Sequence, residues 1–187
     1  PDEMCERLDE ILAGDFQEER RALLHASVIR NGSSVSESAA LNDVVIHKWD
    51  IARMIELDTR IDGRFVYSLR ADGLIVSTPT GSTAYALSGG GPIIDPALNA
   101  LVLVPICPHT LSNRPIVVSD ESIIEVLVHG DDSSQAQITC DGQVNFALVA
   151  GDIVRIRRKT QALRLIHPRK HDHFDIMRRK LRWAEQP

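Results

Sequence analysis

Between Val76 and Pro96 the chain reads VSTPTGSTAYALSGGGPIIDP, with four glycines, three prolines and a dense run of hydroxyls. The part PTGSTAY takes an extended segment through a tight turn into a short helix. Backbone N–H groups at that turn, with the hydroxyls of Thr80, Ser82 and Thr83 beside them, suit a phosphate or a ribose. Tyr85 adds a flat face for a heterocycle. The same residues also describe a hydroxyl-rich capped turn with no ligand. Three other chemistries are excluded. No lysine follows Gly81 or Gly91 as a P-loop requires, Gly89-Gly90-Gly91 is contiguous and is no dinucleotide fingerprint, and Ser82 and Ser88 lack the flanking glycines of a nucleophile elbow.

Three further groups carry polar chemistry. Asn42 and Asp43 end a small-residue loop and start the apolar run VVI. An amide beside a carboxylate can hold two adjacent ribose hydroxyls, or it can be a plain Asx turn. Arg70 and Asp72 are two apart, so on a strand they share a face, while Asp72-Gly73 also fits a hairpin turn. Cys140-Asp141-Gly142-Gln143 reads best as a hairpin with polar cargo. His167, His171 and His173 have a ligand-like spacing, but arginines and lysines surround them and repel a cation.

The elements that must position these groups are mostly strands. About ten short β-branched runs, among them RALLHASVIR, GLIVSTP, ALVLVPIC and SIIEVLVHG, are bounded by Gly, Asn, Asp and Ser, which predicts a multi-stranded β-sandwich or a barrel-like all-β body. Aromatics are 4% of 187 residues, so Ile, Val and Leu must fill the core. Met4, Leu8, Ile11 and Leu12 predict a short opening helix stopped by Gly14, and Phe174, Met177 and Leu181 share one face of a closing helix. Such helices need a surface to cover. The net charge of −5 hides an asymmetry: residues 155–182 hold 11 of the 21 basic residues and only Asp172 and Asp175 among the acidic ones. Without interleaved aromatics this segment suits a solvated face or an acidic protein surface better than nucleic acid. No apolar run approaches the ~18 residues of a membrane helix. Three widely spaced cysteines form neither a zinc motif nor a disulfide framework, and a reducing cytoplasm is the expected location.

Taken together, LNDVVIHK, RADGLIVSTPTGSTAYALSGGGPI, PHTLSNRPIVV and CDGQ resemble, in order and spacing, the C-terminal half of bacterial NAD kinases. The resemblance runs along essentially the whole chain. It implies a mainly β domain that holds NAD while a phosphoryl group from ATP, or in some members from polyphosphate, passes to the adenosine ribose 2′-hydroxyl. A divalent metal, Mg2+, would accompany the ATP. By position, Asn42 and Asp43 match ribose-binding residues. Arg53 stands where the family has a basic contact of varying type. Arg70 and Asp72 match a strand contributing NAD contacts, with Asp72 toward the nicotinamide amide. Thr83, Ala84, Tyr85, Ala86, Leu87 and Ser88 match the loop around adenine and ribose, and Gln143 matches a polar contact. Asp141 is a secondary candidate near the phosphates.

The family's Gly-Gly-Asp-Gly motif, which supplies the catalytic aspartate from an upstream α/β domain, does not occur in the sequence. The expected organisation is therefore a tail-end helix of that domain at 1–14, an NAD-binding sandwich at 15–170 and a helix at 171–187 that packs on the same upstream domain. On this reading the chain alone is catalytically incomplete, and its final helix is frayed or swapped onto a neighbour. The resemblance also implies a homodimer or homotetramer, with no membrane or nucleic-acid partner. A related lipid kinase, or a β-sandwich that serves only assembly, are the competing readings; the Asn42-Asp43 pair and the 83–88 loop favour a nucleotide.

Overall fold

The computed structural model describes residues 2–49, 53–110, 112–130, 136–169 and 172–183. In chain order the elements are α1 (Asp2–Leu12), β1 (Phe16–Arg21), β2 (Leu24–Arg30), β3 (Ser33–Ala40), β4 (Asp43–Lys48), β5 (Ile55–Ile61), β6 (Arg64–Ala71) and β7 (Gly73–Ser77). A single 3-10 turn (Thr80–Thr83) and the four-residue α2 (Tyr85–Ser88) follow. Then come β8 (Ala100–Ile106), β9 (Ile116–Ser119), β10 (Ile124–His129), β11 (Ala136–Cys140), β12 (Val144–Leu148), β13 (Ile153–Arg158), β14 (Leu163–Pro168) and α3 (His173–Leu181).

Two antiparallel six-stranded sheets form the body, in the orders β3-β2-β13-β10-β5-β6 and β12-β11-β4-β7-β8-β9. Period-two alternation explains their meeting. Leu24, Ala26, Val28, Leu57, Ile124, Val126, Val154 and Ile156 point inward from the first sheet. Val44, Ile46, Leu74, Val76, Leu101, Leu103 and Ile138 point inward from the second, and all of them join one buried cluster. This is the expected sandwich.

The second sheet has a second apolar face. Val45, Ile75, Val102 and Val104, the alternates of the inward residues, are also buried, in a cluster completed by Ala86 and Ile94 from the 80–95 loop. That loop is a lid over the middle of the sheet, so β4, β7 and β8 read as unbroken apolar runs. Gly91 permits the close approach: a Cβ there would stand 2.8 Å from a Val104 methyl and 2.9 Å from the Ala86 carbonyl oxygen.

The strand pattern differs from the sequence expectation in three places. The described residues form fourteen strands; β1, β3 and β12 are the additional ones. Each lies at an edge or in a two-stranded sheet, where charged and small polar residues are tolerated. The serine-rich stretch before Asn42 is thus not a loop but edge strand β3, paired with β2. Asp72-Gly73 is not a hairpin either. β6 belongs to the first sheet and β7 to the second, so Asp72 marks a crossing between sheets. By contrast, β11 and β12 do form a hairpin across Asp141–Gln143, with Asp141 and Gly142 at φ 50° and 67°.

The chain divides into two compact units, residues 21–162 and the two ends 1–20 with 163–187. The sequence expectation placed the divisions at 14/15 and 170/171. In the second unit β1 pairs with β14, and His167 Nε2 lies 3.0 Å from Glu19 Oε2. Asp172 caps α3 by accepting from the N–H groups of Phe174 and Asp175. Of the apolar face foreseen on α3, Met177 is buried and Phe174 is exposed. His173 stacks edge-on against Phe174, and His171 lies outside the described residues.

Candidate nucleotide-binding site

The site is built on β4 and β11. Their register places Val45 opposite Thr139 and His47 opposite Gln137. Alternation along β4 therefore sends Asp43, Val45 and His47 to the outer face of the second sheet, away from the sandwich core. Together with Asn42, Thr139, Asp141, Gly142, Ala84 and Tyr85 they line a cleft of about 340 Å³, a size typical of small-molecule sites.

Asp141 fixes one end. Its Oδ2 accepts from the Leu41 N–H at 2.7 Å, and its Oδ1 accepts from the N–H groups of Asn42 at 2.7 Å and Asp43 at 3.1 Å. Its own N–H donates to the Asp43 carbonyl at 3.0 Å. A carboxylate shared among three backbone donors is a brace for the 41–43 crossing. It is poorly placed to act as a free base.

Asp43 is the opposite case. It is 5% exposed, not open in the cleft, and among the described residues no donor reaches its carboxylate. Burial, followed by the nearby charge of Asp141, pushes its pKa up to about 6. Ligand hydroxyls donating to this group would supply the hydrogen bonds that it lacks.

The 78–95 loop is held by its own hydroxyls. Thr78 Oγ1 donates to the Leu41 carbonyl at 2.6 Å and accepts from the Gly81 N–H. Ser82, fully buried, donates to the Pro79 carbonyl at 2.6 Å and accepts from the Ile94 N–H at 3.0 Å. The N–H groups of Ser82 and Ala84 close turns onto Thr78, Pro79 and Gly81, and Thr80 Oγ1 accepts from Arg21. The N–H groups of Gly81, Ser82 and Ala84 are thus already bonded within the loop, and the helices here are four residues long. The loop instead carries Ala84 and Tyr85 to the cleft, with Tyr85 48% exposed.

The remaining candidates are scattered. Thr83 is half-buried and donates to the Thr80 carbonyl at 3.4 Å. Ala86 is buried beneath the loop, Leu87 is half-buried and Ser88 is exposed. Arg70 is exposed on the first sheet opposite Glu56. Asp72 is paired with Lys48 Nζ at 2.6 Å. Arg53 is exposed ahead of β5, and Gln143 is exposed beyond the hairpin turn. None of these lines the cleft. Several arginines of the basic stretch 155–182 are paired with carboxylates. Arg155 pairs with Glu125, Arg158 with Asp120, Arg164 with Glu18 and Arg179 with Asp175. Sequence reasoning missed His47, Val45 and Thr139. Alternation from Asp43 would have found the first two, whereas Thr139 needed the strand pairing. Among the described residues no cluster of three or more His, Cys, Asp or Glu side chains could hold a metal.

The fold and cleft define a two-sheet β-sandwich domain with an acid-edged cleft on one outer face. Residues 41–168 match the family described as the ATP-NAD kinase C-terminal domain, and the chain belongs to that family. It is 54% identical to the NAD kinase of Chromohalobacter salexigens and 49% identical to that of Hydrogenovibrio crunogenus; each alignment covers the whole chain and 64% of the relative. The chain thus spans just under two thirds of the length of these curated relatives. A yeast NADH kinase complexed with NADH superposes with a TM-score of 0.88 at 25% identity, over 96% of this chain and 54% of that one. An NAD kinase from Archaeoglobus fulgidus in complex with ATP gives 0.75 at 30% identity, over 94% and 64%.

Proposed function

We propose that this chain is the NAD-binding part of an NAD kinase, the enzyme that transfers a phosphoryl group from ATP or polyphosphate to the adenosine ribose 2′-hydroxyl of NAD. The observation that carries this reading is the buried Asp43 carboxylate, lacking a donor among the described residues and facing a cleft that also holds Tyr85. Relatives named NAD kinase and a superposable structure with NADH support it.

In this reading the chain binds and orients the acceptor. Asp43 and Asn42 take ribose hydroxyls, and Tyr85 packs on a planar ring. Asp141 keeps the crossing in place. Phosphoryl transfer rests largely on such positioning together with electrostatic stabilisation. Mg2+ enters with ATP as part of the donor substrate. The setting we propose is a homo-oligomer in the cytoplasm, a location consistent with the three free cysteines.

Calorimetric titration of the chain with NAD tests the reading. Saturable binding is expected, weakened about tenfold or more in Asp43→Ala, as loss of a hydrogen bond to a charged group implies. Absence of saturable binding, or affinity unchanged from the parent in both Asp43→Ala and Tyr85→Ala, overturns it.

A further inference from the structure

His47 lines the cleft and has no part in the proposed function. It lies two positions beyond Val45 and four beyond Asp43 on the same face of β4, at the other end of the cleft from the acidic pair. Its ring is fixed in place. Nε2 lies 3.0 Å from Thr139 Oγ1, and that hydroxyl donates to Asn145 Oδ1 at 2.8 Å. Nδ1 lies 3.1 Å from the Lys48 carbonyl oxygen. Both nitrogens lie against protein groups, so the ring offers the cleft its face or a C–H edge.

The outer side of β4 therefore has three zones in a row: a hydroxyl-seeking carboxylate, an apolar side chain and a locked aromatic ring. At ~3.4 Å per residue, Asp43 and His47 are about 14 Å apart along the strand, which suits a nucleoside lying along it. We propose that the His47 ring is the wall on which the planar heterocycle of the ligand packs, across the cleft from Tyr85, and that Thr139 and Asn145 are positioning residues holding that wall. The inference rests on the nucleotide reading above and adds the orientation: sugar at Asp43, ring at His47.

The test uses the intact chain titrated with NAD, with thermal melting as the check on folding. His47→Ala removes the wall and should weaken binding roughly tenfold, as loss of one stacking surface does. His47→Phe keeps a flat face without nitrogens and should stay within about threefold of the parent. Thr139→Val frees the ring and should fall between them. In the unmodified chain, stacking should also move the His47 Cε1 proton resonance upfield when NAD is added, a readout independent of any variant. Equal affinity in His47→Ala, a His47→Phe variant as weak as His47→Ala, or an unmoved His47 resonance each overturns the proposal. If the unmodified chain takes up no NAD, the nucleotide reading falls and this inference with it. If NAD binds, Asp43→Asn weakens it and His47→Ala does not, only this inference falls.

Discussion

The two six-stranded sheets present the same aliphatic chemistry to each other and opposite chemistry to the outside. The outer face of the first sheet is open and carries paired polar groups: Arg155 with Glu125 at 2.8 Å, His129 with Asp58 at 2.9 Å and His25 with Glu37 at 3.4 Å. The outer face of the second is roofed by the 80–95 loop over Val45, Ile75, Val102 and Val104. The same residue type behaves differently on the two faces. Hydrogen bonding to His129 and then to Ser68 holds the Asp58 carboxyl below its ordinary range, whereas burial pushes Asp43 up to about 6. A carboxylate among solvated partners is already satisfied. One withdrawn under a lid is left needing donors, which makes it useful to a ligand.

This contrast can be broken most directly at Gly81, where the lid meets the sheet crossing. A Cβ there would run into the Asn42 carbonyl and the Ser77 hydroxyl. Gly81→Ala should cost about 1–3 kcal/mol or more, as overpacking against backbone does, and should abolish NAD binding by displacing residues 41–43. Urea denaturation and titration check both; near-parental stability with intact binding would show that the lid is not braced there. Asp141→Ala is next. It leaves the N–H groups of Leu41, Asn42 and Asp43 without their acceptor, at a cost of roughly 1.5–3 kcal/mol. NAD affinity should fall in parallel with the loss of stability.

Acidity sharpens the comparison further. Raising the folded-state pKa of Asp43 from 3.8 to about 6 means that the folded protein holds this proton more tightly than the unfolded chain. The associated stability is fully present below pH 4, and it is lost as pH rises through about 6. Asp43→Asn keeps a neutral side chain, so its stability relative to the parent should improve between about pH 4 and pH 6 and then level off, as read by urea denaturation across that range. Because hydroxyl donors prefer the ionised carboxylate, NAD affinity of the parent should strengthen as pH rises through the same interval. A parent and variant with parallel pH profiles would remove the burial argument. The smallest effect belongs to the open face: Arg155→Ala should cost at most about 1 kcal/mol and leave NAD affinity unchanged. A loss of binding there would show that the two faces are not independent.

Much of this protein could be read from local pattern. Short β-branched runs bounded by turn residues, such as GLIVSTP and ALVLVPIC, determined the β class, because alternation and burial leave their mark on adjacent positions. The Asn42-Asp43 pair and the Tyr85 loop were visible as polar or aromatic groups placed where a core needs none. The edge strands β1, β3 and β12 were harder to see, since an edge accepts the residues that a loop uses. Tertiary structure alone decided what each polar group does. Asp141 braces Leu41 across a hundred residues of chain, Asp72 is paired with Lys48 outside the cleft, and the hydroxyls of Thr78 and Ser82 stitch the loop rather than meet a phosphate. His47 owes its fixed ring to Thr139 and Asn145 on strands far along the sequence. The physical reason is that hydrogen-bond partnership and burial are set by what folding brings alongside a residue, and sequence neighbours carry no record of it.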